Sequence, residues 1–133
     1  MKHMLVVTSG IVAMILSTTT LAGSREDLLA QYAAAAKITG FSAARGQTLH
    51  TQNFSGGKPD TPSCTTCHGK DTRGAGRALT GKTIEPVAVS VTPTRYTDPA
   101  KVEKWFKRNC TEVLGRECTP QEKGDWLTFV MSQ

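Results

Sequence analysis

Apolar residues appear first as one block and afterwards at helical spacing. Leu5 to Leu16 is mostly apolar, follows Lys2 and His3, and leads into Thr20-Leu21-Ala22, whose small final residue suits cleavage. That is the pattern of an export signal over residues 1–22, and its apolar run is short for a bilayer span. Residues 23–133 then form one small domain. Ser24 with Asp27 resembles a capping box, and Leu28, Leu29, Tyr32, Ala35 and Ala36 predict a helix to about Ile38, closed by Gly40. Ala43, Gly46, Leu49 and His50 predict a second helix from Ser42 to about Gln52.

Asp98-Pro99 starts a third helix, with Val102, Trp105 and Phe106 as its apolar face and an end expected near Asn109. Thr119-Pro120-Gln121-Glu122 starts a fourth, whose Trp126, Leu127, Val130 and Met131 are expected to face inward. Between these lie two segments of loop composition. Asn53 to Ser63 holds Gly56-Gly57, Pro59 and Pro62, while Gly69 to Thr97 is rich in Gly, Thr and Pro. In the latter, Val87 to Val91 is expected to be extended. No alternation typical of strands competes, so the expected class is all-α with long Gly/Pro-rich loops.

Cys64-Thr65-Thr66-Cys67-His68 changes the picture from fold to chemistry. Two cysteines two residues apart can each add to one vinyl group of a haem, and the next histidine is then an axial ligand to the iron. One covalent haem c is therefore expected, with Cys64 and Cys67 holding the macrocycle and His68 the metal. Such a group would also supply core that a domain this small lacks. The same residues could form a haem-free thiol or zinc module. Zinc would want a second close pair, and Cys110 and Cys118 stand well apart; a redox dithiol would want a βαβ pattern.

Cys110 and Cys118 are an even remainder in an exported, oxidising setting, which predicts a bridge; free buried thiols are the other reading. The formal charge of the whole chain is +5, without a dense basic run. That is a solvated surface able to steer an acidic redox partner, with no sign of a nucleic-acid site or of stable membrane insertion. Arg73, Arg77 and Lys82 are candidates to meet the haem propionates. The sixth ligand decides between passing electrons and binding gases. Met131 has the spacing of core packing, and His50 that of a helix contact, although an imidazole there would give a six-coordinate electron carrier.

Three stretches carry a resemblance: Gly56 through Gly69, Val102 through Cys110, and Gly115 through Lys123. They resemble the sphaeroides haem protein family of c-type cytochromes, related to cytochrome c double-prime, over about Ser24 to Val130. The resemblance implies a class I cytochrome c fold around one haem. It implies Asn109 as distal ligand and a Cys110 to Cys118 disulfide. The double-prime relatives carry a histidine where this chain has Asn109. His50 is a departure, standing where these relatives tend to have an aromatic apolar residue.

An amide oxygen is a hard donor, better matched to ferric than to ferrous iron. Reduction should therefore release Asn109 and let O2, NO or CO bind, with the freed NH2 as hydrogen-bond donor. The resemblance further implies a diheme cytochrome c as electron donor, a periplasmic location, and a reaction of the oxygenated haem with NO to give nitrate. The alternative is an electron carrier with a permanent strong ligand such as His50.

Overall fold

The computed structural model describes residues 22–133. The expected signal segment lies outside the described residues, apart from Ala22. Among the described residues five helices carry the fold: α1 (Ala22–Ala36), α2 (Ala43–Thr51), α3 (Thr65–His68), α4 (Pro99–Leu114) and α5 (Pro120–Met131). Between α3 and α4, β1 (Gly76–Arg77) and β2 (Thr83–Ile84) pair antiparallel, Gly76 against Ile84. This hairpin was not expected, because two residues per strand are too few to show alternation. No helix among the described residues is long and apolar enough to cross a membrane.

The crossing of α2 over α5 organises the core. Gly46 makes it possible: a Cβ there would fall on the backbone carbonyl of Asp125 and come within 2.7 Å of the Phe129 Cβ. The helices touch backbone to backbone, as only glycine allows. Asp125, almost fully buried, locks the crossing from one side, accepting from Ser42 N at 2.7 Å and from Arg45 Nε and Nη2 at 2.7 and 2.9 Å. Gly46→Ala is expected to lower stability by about 1 to 3 kcal/mol, since the added methyl can be accommodated only by parting the helices. A holoprotein melt superimposable on the parent's would contradict this.

α1 lies against α5 and α4. Leu28 and Tyr32 are buried, and Tyr32 donates to Glu103, which also takes Lys123 Nζ at 2.6 Å, so one carboxylate joins three helices. The helix already includes Ser24, the expected cap, and ends at Ala36, with Lys37 at φ 56°, not at Gly40. A buried Arg25, unexpected on an apolar face, donates to the Arg95 and Pro93 carbonyls and ties α1 to the loop before α4.

α4 departs from expectation at its end. It runs past Asn109 to Leu114 because Cys110, Val113 and Leu114 continue the buried stripe of Val102 and Phe106. Gly115, in the left-handed region at φ 75°, caps it. Trp105, expected on the apolar face, is 44% exposed instead. On α5, Leu127 and Val130 are buried as expected and Phe129 joins them, while Trp126 and Met131 are partly buried against the core. The segment expected to be extended buries Val87 and Ala88, then turns: Val91 N and Thr92 N both bond Ala88 O, and Val91 is exposed. Ala88 N to Thr72 O at 2.9 Å and Val89 N to Val130 O at 3.1 Å hold the segment in place.

Candidate haem-binding site

The loop from residue 53 to 63 delivers the chain to the motif along two other elements. Its glycines sit against the end of α4: Lys58 N bonds Glu112 O at 2.7 Å, and a Cβ on Gly57 would fall on the Glu112 and Val113 carbonyls. Buried Ser63 then anchors the motif to α2, donating to His50 O at 3.1 Å while its hydroxyl also receives Thr65 N at 3.3 Å. α3 is a single turn, with His68 N bonded to Cys64 O at 3.0 Å. A turn of this kind puts residues three apart on one side, which presents Cys64 and Cys67 together.

Both thiols are unbridged and partly buried. Burial pushes the Cys64 thiol up to about 11, and its Sγ lies 3.9 Å from Leu49 O. His68 is pulled down to about 4, chiefly by burial and then by its neighbours His50 and Arg95. Its imidazole is therefore neutral, the form that offers a lone pair to a metal. Its Nδ1 is buried and has no hydrogen-bond partner among the described residues. An orphaned buried nitrogen is costly unless something outside the chain engages the ring. Two unbridged thiols and a neutral, under-satisfied imidazole on one turn fit a covalently held haem with His68 as axial ligand.

His50 occupies a different role from the ligand considered for it. It is fully buried in the last turn of α2, with Nε2 3.1 Å from Gly69 O and Nδ1 3.3 Å from the Trp126 indole nitrogen. Both nitrogens are engaged, so neither has a lone pair for iron. Met131 packs at the margin of the core, as its spacing implied.

Asn109 lies on the exposed side of α4, immediately before buried Cys110. Cys110 and Cys118 form a disulfide with Cα atoms 5.5 Å apart. One turn before Asn109 on the same face stands Trp105, with the Arg108 guanidinium 5.3 Å over its ring. Among the described residues the Asn109 amide makes no side-chain hydrogen bond, unlike Thr111, which bonds Lys107 O.

Arg73, Arg77 and Lys82 are exposed, and Arg77 is spent on Gly81 O across the hairpin turn at 3.0 Å. The arginine whose charge His68 feels is Arg95, which sequence reasoning passed over. It donates to Pro86 O at 2.7 Å and Glu85 O at 2.6 Å. Next to it, Tyr96 adopts φ 63°, a strained setting for a bulky side chain, and donates to Val87 O at 2.9 Å. Its ring meets Trp126 edge-on at 5.7 Å. The Arg95-Tyr96 pair was legible only as loop composition, because its partners are backbone carbonyls that carry no residue signature.

Comparison with known proteins bears on the chain as a whole. Residues 36–130 match a family described as a domain of unknown function, DUF1924. The chain is 51% identical over 125 residues to the cytochrome c-type protein SHP of Cereibacter sphaeroides, covering 92% of this chain and 96% of that protein. It is 30% identical over 89 residues to cytochrome c'' of Methylophilus methylotrophus, covering 66% of this chain and 62% of that protein. Oxidized SHP, an oxygen-binding cytochrome c, superposes with a TM-score of 0.79 at 53% identity, over 82% of this chain and 96% of that one. Oxidized cytochrome c'' does so with a TM-score of 0.71 at 28% identity, over 84% and 95%.

Proposed function

The chain belongs to the SHP family of c-type cytochromes, and from that premise we propose that it is a monohaem, gas-binding cytochrome whose Asn109 closes the iron in the ferric state and releases it on reduction. The fold is the all-α cytochrome c-like one and the cofactor is one haem c. Cys64 and Cys67 would hold it by thioethers and His68 would supply a nitrogen to its iron. The haem iron contributes a one-electron couple and affinity for diatomic gases. The observation that carries the reading is the neutral His68 imidazole, its Nδ1 orphaned, on the same turn as two unbridged thiols.

The chain's own residues then divide the work. His68 stays neutral because burial disfavours its proton. Asn109 offers an amide oxygen, a hard donor that favours the ferric ion, and an NH2 that can donate to an incoming diatomic ligand. The Cys110–Cys118 bridge fixes the backbone beside it. Phe106, Trp126 and Tyr96 stack edge-on in a layer that keeps water from the interior, with centroids 5.6 and 5.7 Å apart. With both nitrogens of His50 engaged, the electron-carrier alternative loses the strong ligand named for it.

A periplasmic location and an acidic diheme cytochrome c as donor complete the reading. Lys101, Lys104 and Arg108 are exposed on α4 around Asn109, a charge distribution that suits such a donor. Reaction with NO to give nitrate is the chemistry open to it once oxygen is bound. The deciding measurement is the anaerobic optical spectrum of the reduced holoprotein before and after CO. A five-coordinate high-spin spectrum that converts on CO binding is expected. A sharp low-spin spectrum indifferent to CO would overturn the reading.

A further inference from the structure

The last turn of α2 grips the haem-binding motif on both sides. Leu49 O meets the Cys64 thiol at 3.9 Å, His50 O takes the Ser63 hydroxyl at 3.1 Å, and the His50 ring reaches past His68 to Gly69 O at 3.1 Å. The first two contacts use backbone carbonyls, which almost any residue would supply. The third needs a side chain with an N–H.

The proton on that ring is placed by its other neighbour. An indole N–H is a donor only, so Trp126 obliges His50 Nδ1 to accept. Nε2 must then carry the hydrogen and donate to Gly69 O. The ring is fully buried, its centroid 6.4 Å from that of His68 and 5.7 Å from that of Phe129, so both ring nitrogens take their partners from the chain. Gly69 sits at φ 72° and ends α3 immediately after His68, so its carbonyl direction and the seat of the His68 backbone are set together.

We infer that His50 is a positioning residue for the axial histidine: the Trp126–His50–Gly69 chain ties α5 to the end of the haem-binding turn and neutralises the Gly69 carbonyl beside His68. The inference rests on the reading of His68 as haem ligand. Removing the donor takes the side-chain N–H from the Gly69 carbonyl oxygen and leaves its partial negative charge less opposed on the side that faces His50. Negative potential near the iron favours the ferric state, so the reduction potential falls.

The test compares the holoprotein with His50→Phe, His50→Gln and Trp126→Phe, reading the reduction potential and the iron–histidine stretching frequency of the ferrous form. His50→Phe keeps an aromatic ring and loses both bonds. It is expected to lower the equilibrium constant for reduction about threefold, about 30 mV for one electron, and to move the stretching frequency. His50→Gln, whose amide can donate to Gly69 and accept from Trp126, should return both towards the parent. Trp126→Phe frees Nδ1 and the choice of tautomer, and should shift both in the same direction by less.

Parental values for His50→Phe would overturn the inference. So would a His50→Gln variant displaced as far as His50→Phe, because ring shape would then be the cause. Should His50→Phe fail to take up haem, Trp126→Phe decides: a shift supports the chain of bonds and parental values overturn it. Failure of the gas-binding reading is separately visible in the parent, as a reduced spectrum that ignores CO.

Discussion

Asn109→Ala is expected to turn the ferric protein high-spin and to raise its apparent affinity for added cyanide or imidazole about 10- to 100-fold. An internal ligand competes with an external one by keeping the open form a minority. With that minority at about 1 to 10% of molecules, apparent affinity is reduced by the same fraction and recovers when the competitor is cut away. The substitution should not cost the fold: the side chain is exposed in a helix interior, and alanine favours helix more than asparagine does. An unchanged or slightly higher thermal midpoint is the control.

In the reduced protein the same variant loses the NH2 donor. Oxygen should then leave about fivefold faster, the worth of one hydrogen bond of about 1 kcal/mol, while CO, a poor acceptor, changes little. A ferric spectrum and cyanide titration identical to the parent's would remove Asn109 from the site.

Replacing both Cys110 and Cys118 by alanine is expected to cost about 2 to 3 kcal/mol. The bridge closes a short loop, sequence separation 8, and the chain-entropy estimate for such a loop lies in that range. Alanine is the informative substitution because both cysteines are buried, and serine would add an unpartnered hydroxyl. The measurement is the unfolding free energy of the haem-loaded protein from its denaturant midpoint and slope together, since freeing the unfolded chain can also raise the slope. The second expected consequence is functional: the last turn of α4 loosens and Asn109 rebinds ferric iron less completely. A loss under about 1 kcal/mol would show that Gly57 and Lys58, seated on Glu112 and Val113, hold that turn without the bridge.

The helices were legible because their starts carry side-chain signals. Asp98 accepts from Lys101 N and Thr119 makes a full capping box with Glu122, as the sequence implied. Ends were less legible, because a stop signal competes with burial: α4 ignores the polar Lys107-Arg108-Asn109 run in order to bury Val113 and Leu114. The motif Cys64 to His68 announced itself through spacing alone. What surrounds it did not. Arg25 and Arg95 spend their guanidinium groups on backbone carbonyls, and His50 finds its partners on α5 and in the haem-binding turn. Each depends on a fold already formed, so a one-dimensional pattern could suggest His50 as a ligand or a helix contact but not as a relay.

α4 is held at both extremities. Asp98 and Pro99 fix its start, while the disulfide, the left-handed Gly115 and the loop backbone at Gly57 and Lys58 fix its finish. A helix so held does not slide, which leaves Asn109 one kind of freedom, rotation about its own side-chain bonds. Exposed side chains change rotamer in picoseconds to nanoseconds, whereas displaced helices take microseconds or longer. On the proposed reading the amide is then a shutter rather than a lid. It opens far faster than ligand arrives, so the tempo of gas capture is set by how often an electron is delivered.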